Sequence, residues 1–214
     1  DAILNKYNSE GNVLMGNIFA EIRFLKNFKF TSNNSMNLQE VRGTQVLNPY
    51  YGQYADQNGI VYKSHTRNMD YTYQQLLNYT NTFAGKHNVD IMAGHEYYKT
   101  TSYYLNGTKS NLFDPSNDEL NGAIIDQSSG SYTTEYNNEG WIFRGMYDYD
   151  GKYFGQASFR HDASSRFHPD HRWGNFWSIG GAWILTKEAF MEDLTWIDFL
   201  KVKVAYGDQG NDNI

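Results

Sequence analysis

Three segments decide the fold: KYFGQASFR at 152–160, WGNFWSIGGAWIL at 173–185 and FLKVKVAY at 199–206. In the first, Tyr153, Gly155, Ala157 and Phe159 alternate with Lys152, Gln156, Ser158 and Arg160. The second sets Trp173, Trp177, Ile179, Trp183 and Leu185 against small residues, and the third sets Leu200, Val202, Val204 and Tyr206 against Lys201 and Lys203. A repeat of two is the geometry of an extended strand, whose successive side chains point to opposite faces. Each segment therefore reads as a strand with one apolar and one polar side.

The same period extends upstream. Ile18, Ala20, Ile22 and Phe24 oppose Asn17, Glu21 and Arg23. Phe28, Phe30, Met36 and Leu38 oppose Lys29, Thr31, Asn33, Asn37 and Gln39. Tyr71, Tyr73, Leu77 and Tyr79 oppose Thr72, Gln74, Asn78 and Thr80, and Val89, Ile91, Ala93 and Tyr97 oppose Asn88, Asp90 and Glu96. Trp141, Phe143, Tyr147 and Tyr149 oppose Arg144 and Asp148. The sequence predicts an all-β fold, an antiparallel up-and-down meander of about eight strands. One short helix is expected at TKEAFMED, 186–193, with Thr186 as its cap and Glu188 in its first turn.

The connections alternate in length. Tight turns are expected at Leu25–Asn27, Ala84–His87 and Asp148–Gly151, and long polar loops at 42–58, 106–132 and 161–172; a medium connection carries the short helix and Trp196. In a meander, alternate connections lie at opposite ends of the sheet, so the tight turns share one end and the long loops the other. Outer-membrane barrels have this asymmetry, whereas a soluble β-sandwich has no reason to sort its loops by length. Aromatic residues expected near strand ends (Tyr97, Tyr98, Tyr103, Tyr104, Trp141, Tyr147, Tyr149, Trp173 and Trp177) suit an interfacial girdle. The run from Ile60 to Phe83 exceeds the ~9–11 residues that cross a bilayer.

Composition narrows the classes further. The 214 residues are 17% aromatic, far too aromatic for a disordered chain. There is no Cys, which excludes a disulfide scaffold and thiol chemistry. A formal charge of −6 argues against nucleic acid as a general partner. No run approaches the ~18 apolar residues of a membrane helix, while a mean hydropathy of −0.70 is equally compatible with a soluble β protein and with a barrel whose strands alternate. The chain opens at Asp1, Ala2 and Ile3 without a signal peptide's basic segment, apolar core or cleavage site, and ends in the polar run 207–214 directly after a strand; both ends read as cut points in a longer protein.

The stretch 147–211 resembles the mid-barrel signature of the SusC/RagA family of TonB-linked outer-membrane transporters. The resemblance is carried in order by Lys152 and Tyr153, then Arg160, Asp162, Ser164, Ser165, Arg166 and Phe167, then Arg172, Trp173, Gly174, Phe176 and Ser178, then Trp183, Phe190, Leu200, Lys201, Tyr206, Gly207, Gly210 and Asn211. The segment LNYTNTFAGKHNVDIMAGHEY, 77–97, is similar to the family's preceding hairpin, so about 140 residues from Leu76 onward are covered. One departure is the GDQGN run, where the family more often has Thr or Ser near Asp208.

The resemblance implies part of a transmembrane barrel of about 22 strands enclosing a plug, with plug and C-terminal strands outside these 214 residues. It further implies import of an oligosaccharide or peptide substrate across the outer membrane of a Gram-negative, Bacteroidetes-type cell. The implied partners are a SusD-like lipoprotein, outer-membrane lipid, and TonB through segments not in this chain. The alternative is a soluble β-sandwich that binds carbohydrate.

Catalysis finds no motif: G-x-S-x-G, H-E-x-x-H and a P-loop are all absent. No cofactor is expected. His168, Asp170 and His171 have the donor atoms for a metal, but their spacing around Pro169 reads as a solvated loop. DPSNDELNG and GDQGNDN are acidic without matching the calcium-loop pattern. Arg160, Asp162 and Arg166 are expected to pair across a loop and fix a hairpin tip, with substrate contact as the second possibility. Ser164 and Ser165 would satisfy backbone groups there. Tyr50, Tyr51 and Tyr54 read either as ordinary loop packing or as a ligand or partner contact, since their flat rings stand beside Asn48, Gln53, Asp56 and Asn58 and suit a sugar face or a protein surface.

Overall fold

The computed structural model describes residues 4–212; the readings made at Asp1, Ala2 and Ile3 and at the final two residues lie outside them. Eight strands follow in order: β1 (Lys6–Phe24), β2 (Phe28–Leu47), β3 (Ile60–Phe83), β4 (His87–Leu112), β5 (Ala123–Tyr149), β6 (Tyr153–Ser164), β7 (Trp173–Ile184) and β8 (Lys201–Asp208). They form one sheet in the order β1-β2-β3-β4-β5-β6-β7-β8, each strand pairing with its neighbours in sequence. Turns of three residues at 25–27, 84–86 and 150–152 close hairpins, which only antiparallel strands permit. The register between β5 and β8 is regular: Tyr149 faces Tyr153, Tyr153 faces Trp183, and Trp183 faces Val202.

The predicted meander is present, with differences at the strand ends. Residues 106–112 and 123–132, expected as loop, are paired strand, so the connection there shrinks to 113–122. Their Gly, Asn and Ser content weakens strand propensity, but propensity yields where a ladder and side-chain contacts are available. The short helix is absent. In its place stand two three-residue 3-10 turns, Leu185–Lys187 and Ala189–Met191, with Glu188 between them. Thr186 caps neither; its hydroxyl accepts from the Leu200 amide at 3.4 Å. So short a segment cannot offset the cost of nucleating an α-helix. Tyr97, Tyr98, Tyr103 and Tyr104 lie within β4 and not at its ends.

The chain divides into two compact units. One comprises residues 1–16, 36–71 and 99–135; the other comprises 17–35, 72–98 and 136–214. The first contains a small apolar core of Val46, Val61, Leu112 and Ala123, joined by Leu120. It carries the long connections 48–59 and 113–122. The second unit contains the three hairpin turns and all of β6, β7 and β8.

Gly59 shows why one loop position tolerates no side chain. Its φ is +82°, and a Cβ there would stand 2.6 Å from Leu112 Cδ1 and 2.9 Å from the Leu47 carbonyl oxygen. Neighbouring Asn58 also has positive φ but retains its side chain, which donates to Asn111 Oδ1 and the Leu112 carbonyl. Gly59→Ala is therefore expected to destabilise the first unit by about 1–3 kcal/mol. Hydrogen exchange at the Asn111 and Leu112 amides, which bond to Gly59 and Asn58, should accelerate in step.

Candidate functional site: a two-faced wall and its loops

The register of β5–β8 sorts side chains onto two faces. One face carries Trp141, Phe143, Tyr147 and Tyr149 from β5, and Tyr153, Ala157 and Phe159 from β6. Trp173, Trp177, Ile179 and Trp183 from β7 continue it, with Val202, Val204 and Tyr206 from β8. Apart from the half-buried Tyr149, these residues stand exposed: Ile179 is 54% and Val204 72% accessible. Rings collect at both ends of the band. At the hairpin end, Tyr149 stacks with Tyr153 at 6.2 Å and Tyr153 with Trp183 at 6.1 Å between centroids. At the other end, His161 stacks on Trp173 at 4.4 Å and His95 lies 4.5 Å from Trp141. The His95 ring also meets Glu139 at 2.9 Å. Eight to ten residues separate the two rows along β5 and β7, which at ~3.3 Å per residue and a tilt of about 40° is roughly 20–25 Å.

The opposite face is polar. Asn88 donates to Asp148 at 2.8 Å, Thr80 to Asp90 at 3.2 Å, and Ser158 meets Ser178 at 2.6 Å. Arg160 is the centre of the strongest group. Its Nε lies 3.0 Å from Asp162 Oδ2, its Nη2 reaches Glu96 Oε2 at 3.2 Å, and Gln74 donates to the other Glu96 oxygen at 2.6 Å. Glu96 is on β4 and Arg160 on β6, so the pair spans β5. Gly140 makes that possible: a Cβ there would overlap the Asp162 carboxylate and sit 3.2 Å from Arg160 Nη2. A depression of about 520 Å³ on this unit is lined by Met146, Phe154, Ala182 and Ala205 together with Asp90 and Lys201.

Arg166 does not join Arg160 and Asp162, as the sequence suggested. It donates to the Asp212 carbonyl at 3.0 Å and its guanidinium lies 4.8 Å above the Tyr136 ring. Tyr136 and Ser164 both donate to Asp212 Oδ2, at 2.5 and 2.9 Å. These two hydrogen bonds hold the Asp212 carboxyl below its ordinary pKa. Ser164 and Ser165 act as expected: Ser164 Oγ accepts from the Arg166 amide and Ser165 Oγ from the Asn137 amide.

The tyrosine loop is held by Asn48, which is only 6% exposed. Its side-chain oxygen accepts from the amides of Tyr50 and Tyr51, while its amide group donates to Asn5 Oδ1. Tyr50 is left 67% exposed. Tyr51 and Tyr54 line a depression of about 320 Å³ with Asn5, Gln45, Asn48 and Gln53. The His168 and His171 ring centroids are 6.4 Å apart, and among the described residues no three His, Asp or Glu side chains converge as a metal requires.

No family model matches the sequence. It is 32% identical over 153 residues to TonB-dependent receptor P39 of Formosa agariphila, covering 68% of this chain and 14% of that protein. It is 26% identical over 217 residues to TonB-dependent receptor SusC of Bacteroides thetaiotaomicron, covering 99% of this chain and 21% of SusC. The chain belongs to the SusC/RagA family of TonB-dependent receptors.

Its fold is that of the corresponding part of the RagAB peptide transporter, with a TM-score of 0.92 at 22% identity over 100% of this chain and 24% of that one. The matched stretch spans only 14% of the length of receptor P39 and 21% of that of SusC. For a SusC/RagA-family chain, the aromatic rows and the alternating register are the parts legible from sequence. The contacts of Glu96, Gly140 and Asp212 join segments far apart in the chain, so no local pattern points to their roles. The Asn48-Pro49 pair did carry a local signal, since Asn before Pro favours turn initiation.

The Arg160–Glu96 pair is partly solvated, with side chains 41% and 32% exposed, so its coupling is expected to be modest. A double-mutant cycle of Arg160→Met and Glu96→Gln should give about 0.5–1 kcal/mol. Gly140→Val should abolish that coupling by driving a side chain between the partners.

Proposed function

We propose that this chain is a section of the barrel wall of a larger outer-membrane receptor that imports oligosaccharides or peptides. One observation carries the reading: an exposed apolar face, bounded at both ends by aromatic rows, backs directly onto a polar face rich in charge. In water such a face would be a liability. In an outer-membrane barrel it is the side that lipid covers, and the polar side looks into the lumen. The plug and the remaining strands would come from other parts of the protein, as the short share of each relative's length supports.

On this reading the chain has a transport role and no catalytic one. Energy would enter through TonB at a segment outside this stretch. Arg160 and Asp162 would stiffen the wall facing the lumen, and Arg166 would tie down the segment around Asp212. Tyr50, Tyr51 and Tyr54 would contact the substrate or a SusD-like lipoprotein at the external mouth. The RagAB structures describe a peptide transporter, which favours neither substrate class for this chain.

Replacing Tyr50, Tyr51 and Tyr54 together by Ala in the full-length receptor tests the assignment of the loop. Uptake of the nutrient whose use depends on the receptor, or co-purification of its lipoprotein, should fall about ten-fold, in line with the loss of one or two aromatic contact residues. Unchanged uptake and unchanged co-purification would discard it.

A further inference from the structure

The connection between β7 and β8 is unlike the other turns at the hairpin end. Three residues suffice at 25–27, 84–86 and 150–152, yet 185–200 spends sixteen. It is no slack linker. Leu185 donates to the Leu200 carbonyl at 2.9 Å and closes the neck, and successive turns follow from Glu188 to Leu185, Met191 to Glu188, Leu194 to Met191 and Ile197 to Leu194. A compact Ω-loop with its own hydrogen bonds, where a tight turn would do, signals a task of its own.

The surface of that loop is unusually apolar. Phe190 is 62% exposed, Trp196 79% and Phe199 63%. Two residues, Glu188 and Phe190, aim its first half toward the apolar face of the sheet. Glu188 accepts from the Tyr153 hydroxyl at 2.5 Å and from the Trp183 indole N–H at 3.0 Å, both residues of the aromatic row at the hairpin end. Phe190 then meets the Trp183 ring edge-on at 6.2 Å. The hydrogen bonds from Tyr153 and Trp183, helped by Lys152, hold the Glu188 carboxyl below its ordinary pKa, so the clamp stays ionised near neutrality. The aromatic row therefore continues, without a break, from the strands into the loop.

We propose that residues 185–200 form an interfacial foot: an Ω-loop that lies on the membrane surface at the hairpin end and inserts Phe190 and Trp196 among the lipid headgroups. Trp196, a ring with a polar N–H edge, favours that layer, and Phe190 reaches it by extending the row of Tyr153 and Trp183. The remaining side chains choose the kind of lipid. The segment carries Glu188, Glu192, Asp193 and Asp198 against Lys187 alone, four acids to one base. That balance suits a zwitterionic headgroup that offers an ammonium and disfavours an anionic one. The foot would brace the wall at the hairpin end. This inference rests on the lipid-facing reading of the sheet.

The test separates the two. In the full-length receptor, reconstituted in bilayers of phosphatidylethanolamine and phosphatidylcholine, spin labels are placed one at a time by Phe190→Cys, Trp196→Cys, Asp193→Cys and Tyr206→Cys in a cysteine-free background. Collision with oxygen and with a water-soluble nickel chelate then reports the depth of each. Tyr206, 71% exposed in the middle of the apolar band, should read as hydrocarbon. Positions 190 and 196 should read at headgroup depth, and position 193 as water. Tyr206 in hydrocarbon with 190 and 196 in water would overturn the foot and leave the barrel intact. Labels at 190 and 196 shielded from both reagents would mean a protein cover, which also overturns it. Tyr206 in water would remove the barrel reading and the foot with it. Trp196 makes the more secure probe, since its ring is nearly all exposed and its loss removes little packing.

Discussion

A single sheet has two surfaces, and every strand must commit its residues alternately to one or the other. In this chain one surface is given to Trp, Phe, Ile and Val side chains that nothing in the sheet covers, and the other to carboxylates, guanidinium groups and amides that pair among themselves. Exposed apolar area costs about 25 cal/mol per Å² in water. The cost disappears if the medium on that side is hydrocarbon. Backbone groups impose the matching demand, since lipid offers them no hydrogen bonds and only a ladder between neighbouring strands satisfies them. The regular pairings from β5 to β8 meet it.

The polar side follows from the same constraint. Charges excluded from one surface gather on the other, where they become close neighbours and need partners. The Arg160 group is the outcome: two carboxylates and one guanidinium, reaching from β4 to β6 because Gly140 leaves the space above β5 empty. A glycine within a strand normally weakens it. Here the loss is offset by the ion pairs it admits. The loops obey a different economy, with Asn48 and Asp212 each gathering several donors so that a polar segment keeps one shape.

Much of the fold was legible because alternation is a local signal. Val202, Val204 and Tyr206 need no knowledge of their neighbours to be read as one face of a strand. The places where reading failed are those where a strand leaves that simple environment. Residues 106–112 and 123–132 look like loop by composition, and their pairing depends on partners that the local sequence does not reveal. The predicted helix at 186–193 failed for a related reason, since Glu188 is drawn to Tyr153 and Trp183 instead of stabilising a first turn. The candidate site was half legible. Arg160 and Asp162 share one face two residues apart and do pair, whereas Arg166 turns to Asp212, forty-six residues further on.

The most direct test of the account is a thiol-reactivity scan along β7 in the full-length receptor, in membranes, with single cysteines from 173 to 184 and a water-soluble reagent. Lipid on the apolar side predicts a two-residue rhythm between the aromatic rows: Phe176, Ser178 and Gly180 positions react, and Trp177, Ile179 and Gly181 positions stay protected. Equal reactivity on both sides of the strand would contradict it.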